Sequence, residues 1–543
     1  MKALKPITIL LFSFFSALTV FSQTNIVLNY LPKDAKVIVK LNLASLGQKI
    51  KWEELTQHKM FQDMTKDMPG EGKDFFKDPG QTGIDLSQGI FVIAQQGKNN
   101  EKLDPVFYAS VRDTGQVVAM VKKLFKGKQP IKAANGKLVV EKHTALAWNN
   151  EILILTGDDA KKESSVQNAK TNASSESLRL KQLSDRCKLL LSKHAGNPAN
   201  ESFTSLMNEH GDVLLWANNA QSQVQKKTKM PAALGMINTN LIRKGDNTSA
   251  VINFETGKVV GQMKRYVSSS LDSIYKKYPP QNINTVLAKK LPAGHPILLG
   301  SFNFSPDMLN EIFRKAGVNK YIDSLSKHKV TMQDISSAIK GDIILAGMKV
   351  YEFTEEDSVT QALNGMQVFL TGHVNDKEKF KNLVALLEKK NEDTTVYRPK
   401  KGMKPSVLSN DSIFVLSISP VAAQKFLESP GNNDEIEKLI SPYKEHPSAF
   451  ILDLKTIFGI AMQAMAKGKS EEDAKQAAEV LGLFDKLVAF GGEYGNKASS
   501  STIELTLTNK DENSLKQFMN LIDLFYSMKP KKPSTAFNHV PIE

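Results

Sequence analysis

One series of elements is written twice along this 543-residue chain, and that constrains the fold more than any single motif. "LPKDAKVIVKLNLASLGQKI" at residues 31–50 is echoed by "LPAGHPILLGSFNFSPDMLNEIF" at 291–313. In both, Leu-Pro punctuates the approach to a strand, because Pro fixes φ and cannot donate to a ladder. Val37, Val39 and Leu41 alternate as a strand, and Asn42 or Ser45 is placed to cap a helix carrying Leu46, Ile50 and Leu55. In the second copy residues 297–304 form the strand, and Ser305-Pro306 opens a helix with Ser at N-cap and Pro at N1.

The echo continues in order. "LSQGIFVIA" (86–94) is answered by "IKGDIILAG" (339–347), a Gly turn followed by an apolar strand. "PVFYASVRDTGQVVAMVKKLF" (105–125) is answered by "MQVFLTGHVNDKEKFKNLVALLE" (366–388), where Asp113 and Asp376 each open an amphipathic helix. "LAWNNEILILTG" (146–157) matches "LSNDSIFVLSIS" (408–419), with hairpin turns at Asn149-Asn150 and Asn410-Asp411. "GDVLLWANN" (211–219) parallels "HPSAFILDL" (446–454). Only the ends differ. Residues 249–266 read as a hairpin turning at 255–258, while 500–522 read as a strand and then a helix starting at Asn513 or Ser514.

The expected fold class is therefore α+β: two similar domains from an internal duplication, each a mostly antiparallel sheet with helices packed on one side. The expected divisions are a signal peptide at 1–22, a first repeat domain at 24–275, a linker at 276–290 containing Pro279-Pro280, a second repeat domain at 291–527, and a disordered tail at 528–543.

Export is read from the start of the chain. Lys2 and Lys5 precede an apolar run from Ile7 to Phe21, and the small Val20 and Ser22 suit cleavage before Gln23. The expected destination is the periplasm, the outer-membrane surface or the medium of a Gram-negative bacterium. No later stretch approaches the about 20 apolar residues of a membrane-spanning helix. Cys187 is the single cysteine, so no intramolecular disulfide and no cysteine-based metal site can form. The net charge is +14, but the lysines are spread, with small clusters at 226–229, 389–404 and 529–532. A nucleic-acid reader needs a basic stripe interleaved with aromatics, and none is visible. A mild attraction to anionic lipid or polysaccharide is compatible with this surface.

Signatures of chemistry are absent: no GxxxxGK[ST], GxGxxG, HExxH, GxSxG or CxxC occurs. The nine histidines (58, 143, 194, 210, 295, 328, 373, 446 and 539) include no i, i+4 pair. Ser337–Lys340 and Ser441–Lys444 have the SxxK spacing but lack the partners an acyl-enzyme requires. "DPGQTGID" (78–85) reads as a turn rather than a calcium loop, and "GGEYG" (491–495) as a strand bend. Trp52, Trp148 and Trp216 read as packing residues before a sugar platform, and Cys187 as structural. No catalytic, cofactor-binding or metal residue is assigned, and no cofactor is expected.

"LPKDAKVIVKLNLASL", "KDPGQTGIDLSQGIFVIA" and "SAVINFETGKVV", with "LPAGHPILLGSFNFSPDML", "AIKGDIILAG" and "NSLKQFMNLI", run in order through nearly all of the chain after its signal. On these marks it resembles the bacterial exported proteins of the domain of unknown function 4836. The resemblance implies an envelope protein of a set frequently lipid-anchored, with no assigned activity or site residues to carry over. The lipobox cysteine is missing, which favours a freely soluble form.

The functional expectation is a non-enzymatic binding or scaffolding protein using the groove between its repeats, near Lys276–Lys290. The alternatives are a hydrolase of envelope polymers and a basic surface-association module. The expected partner is an envelope protein, a polysaccharide or a small ligand. Neither nucleic acid nor a transmembrane segment after signal removal is expected, and any membrane contact is peripheral.

Overall fold

The computed structural model describes residues 25–66, 75, 78–96, 103–125, 127–141, 144–157, 169–193, 201–219, 245–317, 331–349, 366–393, 406–466 and 471–527. The signal-peptide and tail expectations lie outside the described residues.

The first half contributes strands β1 (Val37–Leu41), β2 (Ile90–Gln96), β3 (Leu103–Ser110), β4 (Ile131–Ala133), β5 (Gly136–Glu141), β6 (Thr144–Trp148), β7 (Ile152–Gly157), β8 (Val213–Asn218), β9 (Asn247–Glu255) and β10 (Lys258–Tyr266). Its helices are α1 (Leu43–Lys49), α2 (Trp52–Gln57), α3 (Lys59–Lys66), α4 (Thr114–Leu124), α5 (Ala169–Leu190), α6 (Glu201–Met207) and α7 (Ser269–Lys277). The second half contributes β11 (Pro296–Asn303), β12 (Ile339–Lys349), β13 (Met366–Val374), β14 (Ser406–Ser409), β15 (Ile413–Ser417), β16 (Ser448–Asp453), β17 (Phe484–Gly495) and β18 (Ala498–Leu507). Its helices are α8 (Pro306–Ala316), α9 (Met332–Ala338), α10 (Lys377–Asp393), α11 (Pro420–Glu428), α12 (Asp434–Ile440), α13 (Leu454–Ala466), α14 (Glu471–Leu481) and α15 (Ser514–Ser527).

All 18 strands among the described residues belong to one sheet. Every pairing is antiparallel, and the chain of partners runs β4-β5-β6-β7-β3-β2-β1-β8-β9-β10, then β18-β17-β16-β11-β12-β13-β15-β14. Read inward from β6, the first half runs 6-7-3-2-1-8-9-10; read inward from β14, the second runs 14-15-13-12-11-16-17-18. The halves meet where β10 pairs with β18, from Lys258↔Thr506 to Tyr266↔Ala498, centred on Gln262↔Thr502.

Local devices recur at matching places. Asn42 caps α1 through the Ser45 N–H, and Ser305 caps α8 through the Met308 N–H with Pro306 behind it. Asp113 caps α4 and Asp376 accepts the Lys379 N–H at the start of α10 (3.0 and 3.1 Å). Asn149 accepts the Ile152 N–H, and Asn410 the Ile413 N–H, each at 2.9 Å, closing the two hairpins. Gly89 (φ +75°) packs against the Leu41 carbonyl and Gly341 (φ +95°) against that of Phe304; an ideal Cβ would sit 2.5 and 2.0 Å from those oxygens. Only glycine tolerates both the conformation and the approach.

The expectation of helices on one side is corrected: helices cover both faces. On the first face α5 and α6 bury Ile38, Phe91, Tyr108, Ile154 and Trp216. On the second, α1 and α4 bury Phe107, Trp148, Leu153 and Leu155. In the second half α11 and α12 take the first face, and α9 and α10 pack with Val374 and Phe414 on the other. The physical reason lies in β6 and β7, which are buried at every position, as "TALAW" and "ILILTG" require. A continuous apolar run marks a strand buried on both faces, whereas alternation marks one.

At Gly341, alanine adds a Cβ that must displace the Phe304 backbone, so Gly341→Ala should cost more than about 2 kcal/mol. Gly127 has a similar φ (+75°) but open space around it, and Gly127→Ala should cost only about 1 kcal/mol. Urea midpoints of the two variants measure the difference.

Candidate functional site

The residues singled out in the sequence go mostly to the core. Trp52 packs edge-on against Phe61 at 5.8 Å, Trp148 lies in the cluster under α4, and Trp216 donates its indole N–H to Ser202 Oγ at 2.9 Å. They occupy three separate clusters and form no shared platform. Cys187 is buried on the inner side of α5, and burial pushes its thiol up to about 12. The Ser337 hydroxyl donates to the Gln333 carbonyl (2.5 Å) and accepts from Lys379, not Lys340 (2.8 Å). Ser441 heads a short 3-10 turn in which its carbonyl accepts the Lys444 N–H. Asp78 and Asp85 each accept a backbone N–H at the start of a 3-10 turn. Gly491 (φ +134°) and Gly492 (φ +104°) form a bulge in β17, against β18.

Of the described histidines, His58 pairs with Asp523 (2.8 Å), His295 with Asp453 (3.3 Å), His373 with Asp342 and His446 with Glu493, while His210 is exposed. His143, His194, His328 and His539 lie outside the described residues. No group of three or more His, Cys, Asp or Glu able to hold a metal occurs among the described residues.

The groove expected near Lys276–Lys290 is filled. Ile283, Leu287 and Ala288 belong to the second half's core, and the Ile283 N–H donates to the His446 carbonyl at 2.9 Å. The apolar residues after Pro279-Pro280 bind this joint segment to the sheet. Lys277 is also tied to Glu311 of α8 (3.1 Å).

The joint instead presents an apolar surface. Cross-strand partners point to the same side of a sheet. On the first face the central row runs Leu299, Ile451, Val488, Glu504, Val260 and Asn253, turning polar toward the middle. The second face carries the alternate positions: Leu298, Leu452, Leu487, Leu505 and Val259, with Phe254 beyond them. The next row holds Phe450, Ala489, Ile503 and Gly261. Nearly all of these side chains are only half-buried, and Ile503 is 39% exposed. In the outer cores, by contrast, Phe91, Ile154, Leu299 and Phe369 are at 0%. A Cβ built at Gly261 would approach nothing nearer than the Ile503 carbonyl at 3.9 Å, so the space above it is open.

Helices from both halves wall this surface reciprocally. α7, from the first half, packs on α8 of the second, where Leu271 and Ile274 meet Met308 and Ile312 and Tyr275 stacks on Tyr494 at 4.5 Å. α15, from the second half, packs on α2 and α3 of the first, where Met519 and Ile522 meet Trp52, Leu55 and Phe61. Lys516–Glu54 (2.8 Å) and His58–Asp523 fasten it there. Aromatic rings line the α15 end: Phe458 against Phe484 (5.8 Å), and Phe518 against both Phe484 and Phe254 (6.4 Å each). Sequence reasoning missed this surface. Its one local signal was the alternation in β18, where Ser501, Ile503 and Leu505 fall on one side.

Comparison with known families matches residues 27–351 to the family described as "Domain of unknown function (DUF4836)". No curated protein matches. Among solved structures, crystal form IV of TP0453 aligns with 11% identity over 46% of this chain and 85% of that one, at a TM-score of 0.25. Crystal form I of TP0453 aligns with 9% identity over 45% and 78%, at the same score. No helix among the described residues is long and apolar enough to cross a membrane.

Because burial raises the thiol and leaves little thiolate at pH 8, Cys187 should resist iodoacetamide in the native protein. In 6 M urea it should alkylate at least about 100-fold faster, read by intact-mass spectrometry.

Proposed function

Given that the chain belongs to the DUF4836 family, whose function is unknown, we propose that it is an exported, non-enzymatic binding protein built by internal duplication, which holds an apolar molecule between its halves. The observation that carries the binding reading is the half-covered apolar face at the β10–β18 joint, with Ile503 at its centre. Burial of apolar area is worth roughly 25 cal/mol per Å², and in its outer cores this fold buries residues such as Phe91, Ile154, Leu299 and Phe369 completely. A contiguous apolar face left partly open at the centre of the same sheet is the mark of a surface completed by something else.

Three observations support the duplication: the matched strand order, the matched caps and glycine contacts, and the centring of the joint on Gln262 and Thr502. Those two residues hold the same rank in β10 and β18 counted from their hairpins. Export is supported by Lys2, Lys5 and the apolar run after them. The periplasm or the outer-membrane surface is the proposed location.

The test is titration with the uncharged fluorescent probe N-phenyl-1-naphthylamine. Ile503→Glu places a charge on the floor, and Gly261→Trp fills the open space; each should weaken probe binding at least about tenfold. Val421→Glu, at an apolar position 65% exposed on α11, serves as the control and should leave binding unchanged. Wild-type affinity in both floor variants, with their thermal transitions intact, overturns the proposal.

A further inference from the structure

The half-covered face at the joint changes character along its strands, because every second residue of β10 and β18 lies on that side. Val259 pairs with Leu505 and Gly261 with Ile503; then Met263 pairs with Ser501, and Arg265 with Ser499. The neighbouring strands follow the same order. In β9, Phe254 and Ile252 stand beside the first two pairs and Thr248 beside the last. In β17 the matching positions run from Leu487 and Ala489 to Tyr494, which the bulge at Gly491–Gly492 turns to this side, where its ring stacks on Tyr275. From Leu505 to Ser499 is six residues (505 − 499), about 20 Å along an antiparallel strand. One leaflet of a bilayer's hydrocarbon is about 15 Å deep, half of the whole, so this span takes one extended acyl chain and its head.

The polar end is open to water and carries cations. The Arg265 side chain is 49% exposed and spends Nε and Nη2 on Asp246 (3.2 and 2.7 Å), which leaves Nη1 without a partner among the described residues. Lys497, exposed in the turn between β17 and β18, forms no ion pair with a described residue. The Asp272 carboxyl of α7 is held below its usual range by bonds from Lys276 and Tyr494 and by the charges of Lys276 and Lys497, so Lys497 stands near Tyr494 at this same end. Asp246 and Asp272 are thus each matched by a cation, Arg265 and Lys276, while Lys497 and the Nη1 of Arg265 remain to meet an anion. At the other end Val259, Leu505 and Leu487 carry no polar group, and the rings of Phe484 and Phe518 lie beyond them.

We propose that the molecule held at the joint is a single-chain amphiphile with an anionic head, lying along the strands with its acyl chain over Ile503 and Leu505 and its head over Ser499, beside Arg265 and Lys497. The two ends fix its direction for separate reasons. Reversed, the ligand would set its charge on Val259 and Leu505, which offer no hydrogen bond, and an unpaired charge on apolar ground is costly. In the proposed direction the head meets a guanidinium and an ammonium, whose hydrogen bonds to a carboxylate or phosphate oxygen are charge-assisted. A cationic head would meet like charge there. The inference rests on the binding reading above and adds the class of the ligand and its direction.

The experiment displaces N-phenyl-1-naphthylamine from the full mature chain at pH 8 with dodecanoate and with dodecyltrimethylammonium, whose chains match and whose heads differ in sign. Dodecanoate should compete at least about tenfold better. Arg265→Gln and Lys497→Asn should each cut that ratio to below about threefold; asparagine suits the left-handed backbone at Lys497 (φ +60°). Ser499→Glu sets a like charge beside the head and should bring the ratio to about one or lower. It also keeps the test decisive if Arg265→Gln, which strands the Asp246 carboxylate, does not fold. Leu505→Glu, at the apolar end, should weaken both competitors and leave dodecanoate the better of the two. A ratio near one in the wild type, or about a tenfold ratio surviving both Arg265→Gln and Ser499→Glu, overturns the head-group assignment. A ratio that collapses in Leu505→Glu but not in Ser499→Glu overturns the direction. If Ile503→Glu still weakens probe binding in those cases, the apolar face stands and only the account of its ligand fails. A probe that binds no form of the protein overturns both.

Discussion

The β10–β18 ladder is the contact on which the rest of the molecule depends. It joins two series of strands through the last strand of each and leaves no break in the hydrogen-bonded sheet. Because the ladder is antiparallel and centred on Gln262 and Thr502, equivalent faces of the two halves lie on the same side. That puts α7 and α15 on one face, each within reach of the other half, and both cross over. The joint is therefore held by backbone bonds in its plane and by two reciprocal helix packings above it.

The same symmetry explains why the middle of the sheet is built differently from its ends. Toward each edge, helices cover both faces, and strands such as β7 are buried throughout. At the joint the first face is polar, with Gln262, Lys264, Thr502 and Glu504 in view of solvent or half-covered, and needs no cover. The second face is apolar, and its helices flank it. α7 and α15 are anchored outward, on α8 and on α2–α3, while α13 packs on β11 and β17 of the same face, so the rows around Ile503 are covered only in part. The apolar area left there belongs to the arrangement of helices.

Much of the fold was legible along the chain because its signals are local. The Ser305-Pro306 helix start, the Asp113 and Asp376 caps and the Asn149 and Asn410 turns are short-range hydrogen bonds, readable from neighbouring residues. Burial of Trp52, Trp148 and Trp216 followed from the apolar strands and helices around them. Other features were not legible. That helices cover both faces shows locally only in runs such as "ILILTG", whereas most strands alternate and imply one covered face. Pro279-Pro280 mark a joint in the sequence, but that Ile283 and Leu287 after them enter the core is decided by the sheet they pack on.

By itself the sequence determined many of the elements, their order and their local caps, because each is set by residues within a few positions of one another. It also set the class of the protein, α+β with a single cysteine. Only the tertiary structure decided that β10 finds β18 across 240 residues (502 − 262), and that the terminal helix of each half docks on the other. Strand pairing between distant edges is specified by the whole molecule's packing rather than by either strand. Two alternating strands advertise a polar and an apolar side, but not which neighbour they will take or what will cover them. The half-covered apolar face at the joint exists at that level alone.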